Sequence, residues 1–396
     1  MTSPLLLIGA SMYVLDPAIA MQIVSRTMSI LGHNVNVMNN RGVILGSGDN
    51  LRIGAIHEGA LLAITQNRVV EITLEAASGL IGVKPGINLP LHYQGQIIGV
   101  IGITGEFKEI TPYGQLLKMT AEIIVEQANL QDKLQWENRQ KEEFILQLIK
   151  GDFRDKSQLI EWASQLGISL ETPRVAAIIE VSDINSKTLN NGHDANNLKE
   201  VLHLLQYPER GNLVAMTSLN QLVILKPAFL DGHNWDPTLE SARIDELLKR
   251  LPHHIKGCTK IALGHYFPNI DGIAHSYQTA QETLVIGKQF NNEERKYLFE
   301  DYSLQVLLSG LKHNWRGEIL SSHYQQLQSA DNKGSLRKTL AAYITHFGDL
   351  QQCANALHIH RNTLRYRLDK IQHITQLDIH ALDGLFRLYL GQLIAD

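Results

Sequence analysis

The sequence predicts a multidomain α+β protein: a small sheet-and-helix unit, a long linking helix, an α/β unit and an all-helical end. Three observations carry this. A length of 396 residues exceeds one ordinary core and suggests several domains. Strand and turn signals occur in two blocks, residues 34–103 and 174–263, on either side of residues 115–150, which hold neither Gly nor Pro. After residue 294 the pattern is helical.

Residues 1–14 contain a short apolar run, residues 5–8, without a basic leader region. It is too short for a signal segment or a membrane span, so a disordered extension is expected, with Met12 as an alternative start. Residues 17–32 read as a helix, with Ile19, Ile23, Met28 and Ile30 among its apolar positions. Residues 34–38 and 43–45 read as strands joined through Asn39-Asn40-Arg41-Gly42, where Asn and Gly tolerate positive φ. A second hairpin joins residues 89–93 and 96–103 through Gln94-Gly95. Helices over residues 57–67 and 116–131 flank these strands. A small antiparallel sheet with helices to one side is a PAS- or GAF-like sensor shape.

Two Gly-rich segments stand out there. One is residues 46–54, GSGDNLRIG, followed by His57-Glu58-Gly59; the other is residues 82–90, GVKPGINLP. Each can present backbone N–H groups beside a cation, Arg52 or Lys84, a pairing that suits anionic ligands. Pro85-Gly86 suggests a type II turn holding Lys84 and Asn88 across it. Ordinary surface turns would have the same composition.

Residues 115–150 read as one or two long helices, whose apolar residues include Leu116, Met119, Ile123, Ile124, Leu130, Leu134, Ile145, Leu148 and Ile149, in an imperfect heptad that could form a seam between two subunits. Residues 175–181 form an apolar run broken only by Glu180, fit for a buried strand. Residues 212–216 and 221–225 make a hairpin around Thr217-Ser218-Leu219-Asn220, followed by a strand over 259–263 and a helix over 273–286. Helices over 303–309, 319–327 and 336–347 come next, with a breaker at residues 331–335 and a closing helix over 381–393.

Residues 350–371, LQQCANALHIHRNTLRYRLDKI, read as two helices joined by a tight turn. Leu350, Ala354 and Leu357 form one apolar stripe; Leu364, Leu368 and Ile371 form the next, with Ile359 plugging the gap between helices. Asn362, Tyr366 and Asp369 lie opposite the second stripe, with Thr363 and Arg365 on its flanks. Arg361, Asn362 and Thr363 fall in the first turn, the part of a recognition helix that meets base edges. Arg fits guanine and Asn fits adenine through paired hydrogen bonds. Arg367 leans toward the buried edge and suits a phosphate. An ordinary α-hairpin would show the same periodicity, but the local charge argues against it. Residues 336–371 hold six Lys or Arg against two Asp, a local +4 in a chain of net charge −4.

HIHRNTLRYRLDKI, with TQLDI after it, resembles the C-terminal helix-turn-helix of PucR-type and carbohydrate diacid regulators. NVNVMNNRGVILGSGDNLRIGAIHEGA and GVKPGINLPLHYQGQIIGVIGITGE resemble the sugar-diacid recognition domain of the same family. The region ending in IALGHYFPNIDGIAHSYQTAQETLVIG looks like a degenerate GGDEF-like domain, whose active members carry acidic residues at the hairpin tip. Here the tip is Ser218-Leu219-Asn220-Gln221, without a carboxylate, so no cyclase activity is expected.

The resemblance implies domains at residues 13–145 (sensor with linker helix), 146–300 (GGDEF-like) and 334–396 (helix-turn-helix). It implies double-stranded operator DNA as partner through His360, Arg361, Asn362, Thr363, Arg365, Tyr366 and Arg367. A glucarate-, galactarate- or glycerate-like ligand follows for the sensor. Arg52 and Lys84 are candidates for its carboxylates and Ser47, His57 and Asn88 for its hydroxyls, with Gly86 a further candidate ligand-binding residue. A homodimer in the cytoplasm that activates sugar-diacid genes is the implied function, with repression or another organic-acid pathway as the alternative.

Composition bounds the remainder. Hydrophobic content of 44% with 19% charge is that of a globular protein. Two cysteines, Cys258 and Cys353, make no disulfide framework, and Cys353 is expected to pack. The 17 histidines are scattered without ligand spacing, so neither metal nor cofactor is expected. The sequence lacks a nucleophile elbow and a Walker loop, which disfavours an enzyme.

Overall fold

The computed structural model describes residues 13–81, 83–153, 155–182, 191–205, 211–228, 230–231, 234–312 and 314–395. The expectations for residues 1–12 and for Gly82 lie outside these. The chain forms two compact units, residues 1–138 and 139–396.

In the first unit, helix α1 (Pro17–Leu31) starts at Asp16, whose carboxylate accepts the Ala18 N–H, and stops at Gly32, φ +67°. Strands β1 (Val35–Asn39) and β2 (Ile44–Ser47) follow. Their turn is held by Asn39 Oδ1, which accepts the N–H groups of Arg41 and Val43. Helix α2 (Glu58–Gln66), strand β3 (Val70–Ile72), the single turn α3 (Leu74–Ala77), and strands β4 (Gly86–Tyr93) and β5 (Gln96–Thr104) complete the sheet. Gln94 and Gly95 both take positive φ, +50° and +79°, as a two-residue hairpin turn requires.

The sheet is antiparallel with strand order β2-β1-β5-β4-β3. Helix α4 (Phe107–Lys150) then runs unbroken for 44 residues, with Pro112 inside it. It starts earlier than the Gly- and Pro-free stretch suggested, since the helix runs through Pro112 and Gly114.

Helices cover both faces of the sheet, not one. Ile23 and Val24 of α1 and Leu117, Ala121 and Val125 of α4 pack on Val35, Val37, Leu89 and Ile101. Ala60 and Ala63 of α2 pack on the opposite face, on Met38, Ile44, Val100 and Ile72. The near-continuous apolar run of β5 is the sequence signal of burial on both faces.

The expected Pro85-Gly86 turn is also corrected. Gly86 opens β4, lacks positive φ, and pairs with Thr104 on one side and Ile72 on the other. It must be glycine for a different reason: a Cβ there would lie 2.0 Å from the Ile103 carbonyl oxygen.

In the second unit α4 ends on α5 (Lys156–Gln165), through Phe144, Leu148, Leu159 and Ala163. Strand β6 (Arg174–Val181) is buried throughout. Next come α6 (Asn191–Leu205), β7 (Leu213–Met216), β8 (Gln221–Pro227), the short pair β9 (Leu230–Asp231) and β10 (Asn234–Trp235), α7 (Pro237–Arg250) and α8 (His253–Lys256). Strand β11 (Thr259–Leu263), α9 (Asp271–Phe290) and β12 (Lys296–Leu298) close this half. The sheet order is β12-β11-β6-β8-β7, with only β11 and β12 parallel. Glu180, the break in the apolar run, is 5% exposed and bonded by Lys288 at 2.7 Å and Gln221 at 2.8 Å.

Helices α10 (Ser303–Ser309), α11 (Trp315–Ala330), α12 (Ser335–Thr345), α13 (Leu350–Ala356), α14 (Arg361–Thr375) and α15 (Leu382–Ala395) form the end. Their core joins Tyr324 and Leu327 of α11 to Leu340, Tyr343, Cys353, Leu364, Leu368, Ile371 and Leu388. So α11, ahead of the breaker, packs with the terminal helices. Among the described residues, no helix is long and apolar enough to cross a membrane.

The two glycine roles in β4 and its hairpin separate experimentally. Gly86→Ala meets backbone, whereas Gly95→Ala meets open space and only backbone strain. Gly86→Ala is expected to cost more than about 2 kcal/mol and Gly95→Ala about 1 kcal/mol, read from urea unfolding. Equal losses would contradict the steric account.

Candidate functional site

Two places gather the residues that the sequence singled out. The first is α14. Asp349 caps α13 by accepting the Gln351 and Gln352 N–H groups, at 2.8 and 3.0 Å, and these bonds hold its carboxyl below the usual range. His358 takes φ +52° and turns the chain; Ile359 packs into the core between the helices. His360 then caps α14, its Nδ1 accepting the Asn362 N–H at 3.3 Å.

Burial divides α14 by period. Leu364, Leu368 and Ile371 are buried, while Arg361, Asn362, Thr363, Arg365 and Tyr366 are exposed. Tyr366 is 66% exposed, a large apolar ring kept in solvent. Arg367 departs from this face: it is half-buried, and its Nη1 lies 3.5 Å from Thr339 Oγ1 on α12. His323 on α11 bonds the Thr375 carbonyl at 2.9 Å, which ties the C-terminal end of α14 to α11, and just beyond that end His380 bonds Tyr343 of α12 at 3.1 Å.

The second place is the face of the first sheet that carries α2. Register aligns Ser47, Asn36, Gly102 and Asn88 in one row across β2, β1, β5 and β4. Ser47, Asn36 and Asn88 are 1%, 2% and 3% exposed. Ser47 donates to Asn36 Oδ1 at 2.6 Å and accepts the Asp49 N–H at 3.0 Å. Asn88 Oδ1 has no hydrogen-bond partner among the described residues. Gly102 leaves the row open at its middle, since a Cβ there would lie 2.9 Å from Asn88 Oδ1. A Cβ on Gly59 would lie 3.0 Å from Asn88 Nδ2 and 3.1 Å from His57 Cε1, so α2 begins directly over the row.

Thus Ser47, His57 and Asn88 come to one face, and Arg52 is close enough to His57 to act on its charge. Lys84 is exposed ahead of β4, and Gly86 is committed to the ladder. Asn36 and Gly102 escaped the sequence reading. The available signal was Asn36 itself, a polar residue in the strand run VNVM.

His57 is 4% exposed and caps α2, its Nδ1 accepting the Ala60 N–H at 3.1 Å. Burial, then the Arg52 charge, push its pKa down to about 4 from 6.5. As pH falls through 6.5 the unfolded chain takes a proton that the folded one refuses until about 4. Its stabilisation is therefore complete above pH 6.5 and lost toward pH 4. Between pH 7 and about pH 5 the loss is expected to be about 2 kcal/mol. The measurement is the difference in unfolding free energy between wild type and His57→Gln at the two pH values; a difference independent of pH would refute the lowered pKa.

Three family profiles match the chain: "Putative sugar diacid recognition" over residues 15–148, "GGDEF-like domain" over 150–286, and "PucR C-terminal helix-turn-helix domain" over 336–394. The chain is 27% identical over 396 residues to the protein YsfB of Bacillus subtilis (strain 168), covering 96% of this chain and 98% of that one. It is 40% identical over 384 residues to a protein of Haemophilus influenzae (strain ATCC 51907 / DSM 11121 / KW20 / Rd), covering 96% and 99%. It is 43% identical over 377 residues to the Carbohydrate diacid regulator of Escherichia coli (strain K12), covering 95% of this chain and 97% of the relative. With that identity across nearly the full length of both chains, this protein belongs to the carbohydrate diacid regulator family.

Proposed function

We propose that the protein is a one-component transcription regulator that binds operator DNA through α14 and is switched by a small sugar diacid. The exposed first turn of α14 carries the reading: Arg361, Asn362 and Thr363 stand in solvent with Arg365 and Tyr366, on a helix anchored by the buried Leu364, Leu368 and Ile371. Asn362 and Arg365 read bases, His360 and Arg361 approach the backbone, and Thr363 and Tyr366 flank them. Arg367 serves a phosphate only by giving up Thr339. The domains are residues 13–145, 146–300 and 334–396, and the first is PAS- or GAF-like, a reading supported by its antiparallel five-stranded sheet between helices. Operator binding makes the cytoplasm its place of work, and activation of sugar-diacid uptake and catabolism genes is its sign.

The polar row supports the ligand reading. An unsatisfied buried acceptor such as Asn88 Oδ1 costs about 1–3 kcal/mol, which a ligand hydroxyl would relieve. Ser47 and His57 offer further polar atoms, and Arg52 a carboxylate partner. Lys84 and the Gly86 backbone contribute from the edge of β4. Glucarate, galactarate and glycerate share this pattern of carboxylate and hydroxyls.

Two recognition helices one DNA turn apart, about 34 Å, need a dimer. The exposed residues Tyr113, Leu116, Ile123, Leu130 and Leu134 on α4 support one. With Thr120 and Gln127 they recur at alternating three- and four-residue steps, as a coiled-coil seam does. The tip Ser218-Leu219-Asn220-Gln221 offers amide and hydroxyl groups where a cyclase needs carboxylates, so the middle domain relays rather than catalyses.

Gel shifts on the operator of neighbouring sugar-acid genes test the DNA reading. Asn362→Ala and Arg365→Ala should each weaken specific binding by about 1–3 kcal/mol with circular dichroism unchanged. Wild-type affinity in both would overturn it. Calorimetry of the full chain with glucarate, galactarate and glycerate tests the other half. One of the three should bind, and Arg52→Ala and Asn88→Ala should each weaken it by about tenfold or more. Unchanged affinity in both variants would remove the ligand site and leave the DNA reading standing.

A further inference from the structure

We propose a second effector site, in the α/β half of the second unit, for a monoanionic ligand with an apolar body. It stands independently of the diacid and DNA readings. A cavity of about 470 Å³ lies between the sheet and α7, within the size range of small-molecule sites. Its floor is apolar and deep: Leu205, Ile224, Ile244 and Ile261 line it and are each no more than 4% exposed.

The rim is cationic. Lys226 from β8 and Arg243 from α7 line the mouth, and both pair with Glu240, a carboxylate 1% exposed; Arg243 does so at 2.8 Å. Arg250 lines it seven residues further along α7, two helical turns on. The acidic lining residue, Glu246, is drawn to Lys249 at 2.7 Å. Three cations thus stand around an apolar well with two carboxylates, Glu240 paired with Lys226 and Arg243, and Glu246 paired with Lys249.

This chemistry excludes a sugar diacid, whose hydroxyls would be stranded against the isoleucines. It suits an aliphatic or aromatic carboxylate: the tail fills the well and the head group meets Arg243 and Arg250. The place is also distinct from the hairpin tip. Asn212 and Pro227, which line the cavity, flank the open end of the β7–β8 hairpin, while Thr217–Asn220 close the other.

Calorimetry of the full chain with octanoate, octanol and octyltrimethylammonium tests this. Octanoate should bind at one site per chain, more tightly than either comparator. Leu247→Trp, which places an indole at the lining of the well, should abolish binding, and Arg250→Gln should weaken it by about two- to fivefold. Melting curves show whether Leu247→Trp folds; if it does not, Arg250→Glu takes its place and should abolish the preference for octanoate over octanol. Absence of octanoate binding, equal binding of octanol, or octanoate binding undiminished in the folded variants would overturn the proposal.

Discussion

The burial of Leu364, Leu368 and Ile371 is the constraint on which the output end of this protein depends. Three side chains spaced by four and three residues fix the rotation of α14 about its own axis. Once that rotation is set, Arg361, Asn362, Arg365 and Tyr366 have nowhere to go but solvent. The neighbours do the holding. Leu340 and Tyr343 of α12, Cys353 of α13, Leu388 of α15 and Leu327 of α11 share the same core. Arg367 sits where that rotation turns back inward, which is why it meets Thr339.

The first unit meets an opposite problem. Its sheet is covered on both faces, yet one face buries Ser47, Asn36, His57 and Asn88. Polar groups taken out of water must find partners, and most of these do, through Ser47 with Asn36 and His57 with the first turn of α2. Asn88 Oδ1 does not. Glycines at 59 and 102 keep the row uncrowded, because a Cβ at either would press on Asn88. The row joins an unsatisfied acceptor to cleared space, a more specific ligand signal than Gly-rich composition alone.

The middle of the chain separates fold from chemistry. A buried central strand, a hairpin and flanking helices persist, while the hairpin tip lacks the acidic groups on which cyclase chemistry rests. Packing demands only apolar residues of suitable volume, so the architecture tolerates that loss.

Much of this was legible in the linear pattern. Helix α1, the Asn39 turn, the Gln94-Gly95 hairpin and the two faces of α14 follow from local period and turn chemistry, which neighbours in sequence decide. What tertiary structure alone decided is non-local. Strand register set Asn36 beside Ser47 and put Gly102 between Asn36 and Asn88. The approach of Ile103, seventeen residues on, explains Gly86, where sequence suggested a turn. The second layer of helix over the sheet, the joining of α11 to the terminal core and the inward pull on Arg367 belong to the same class. A residue's period states which way it points along its own element; what it points at depends on chain that is far away in sequence.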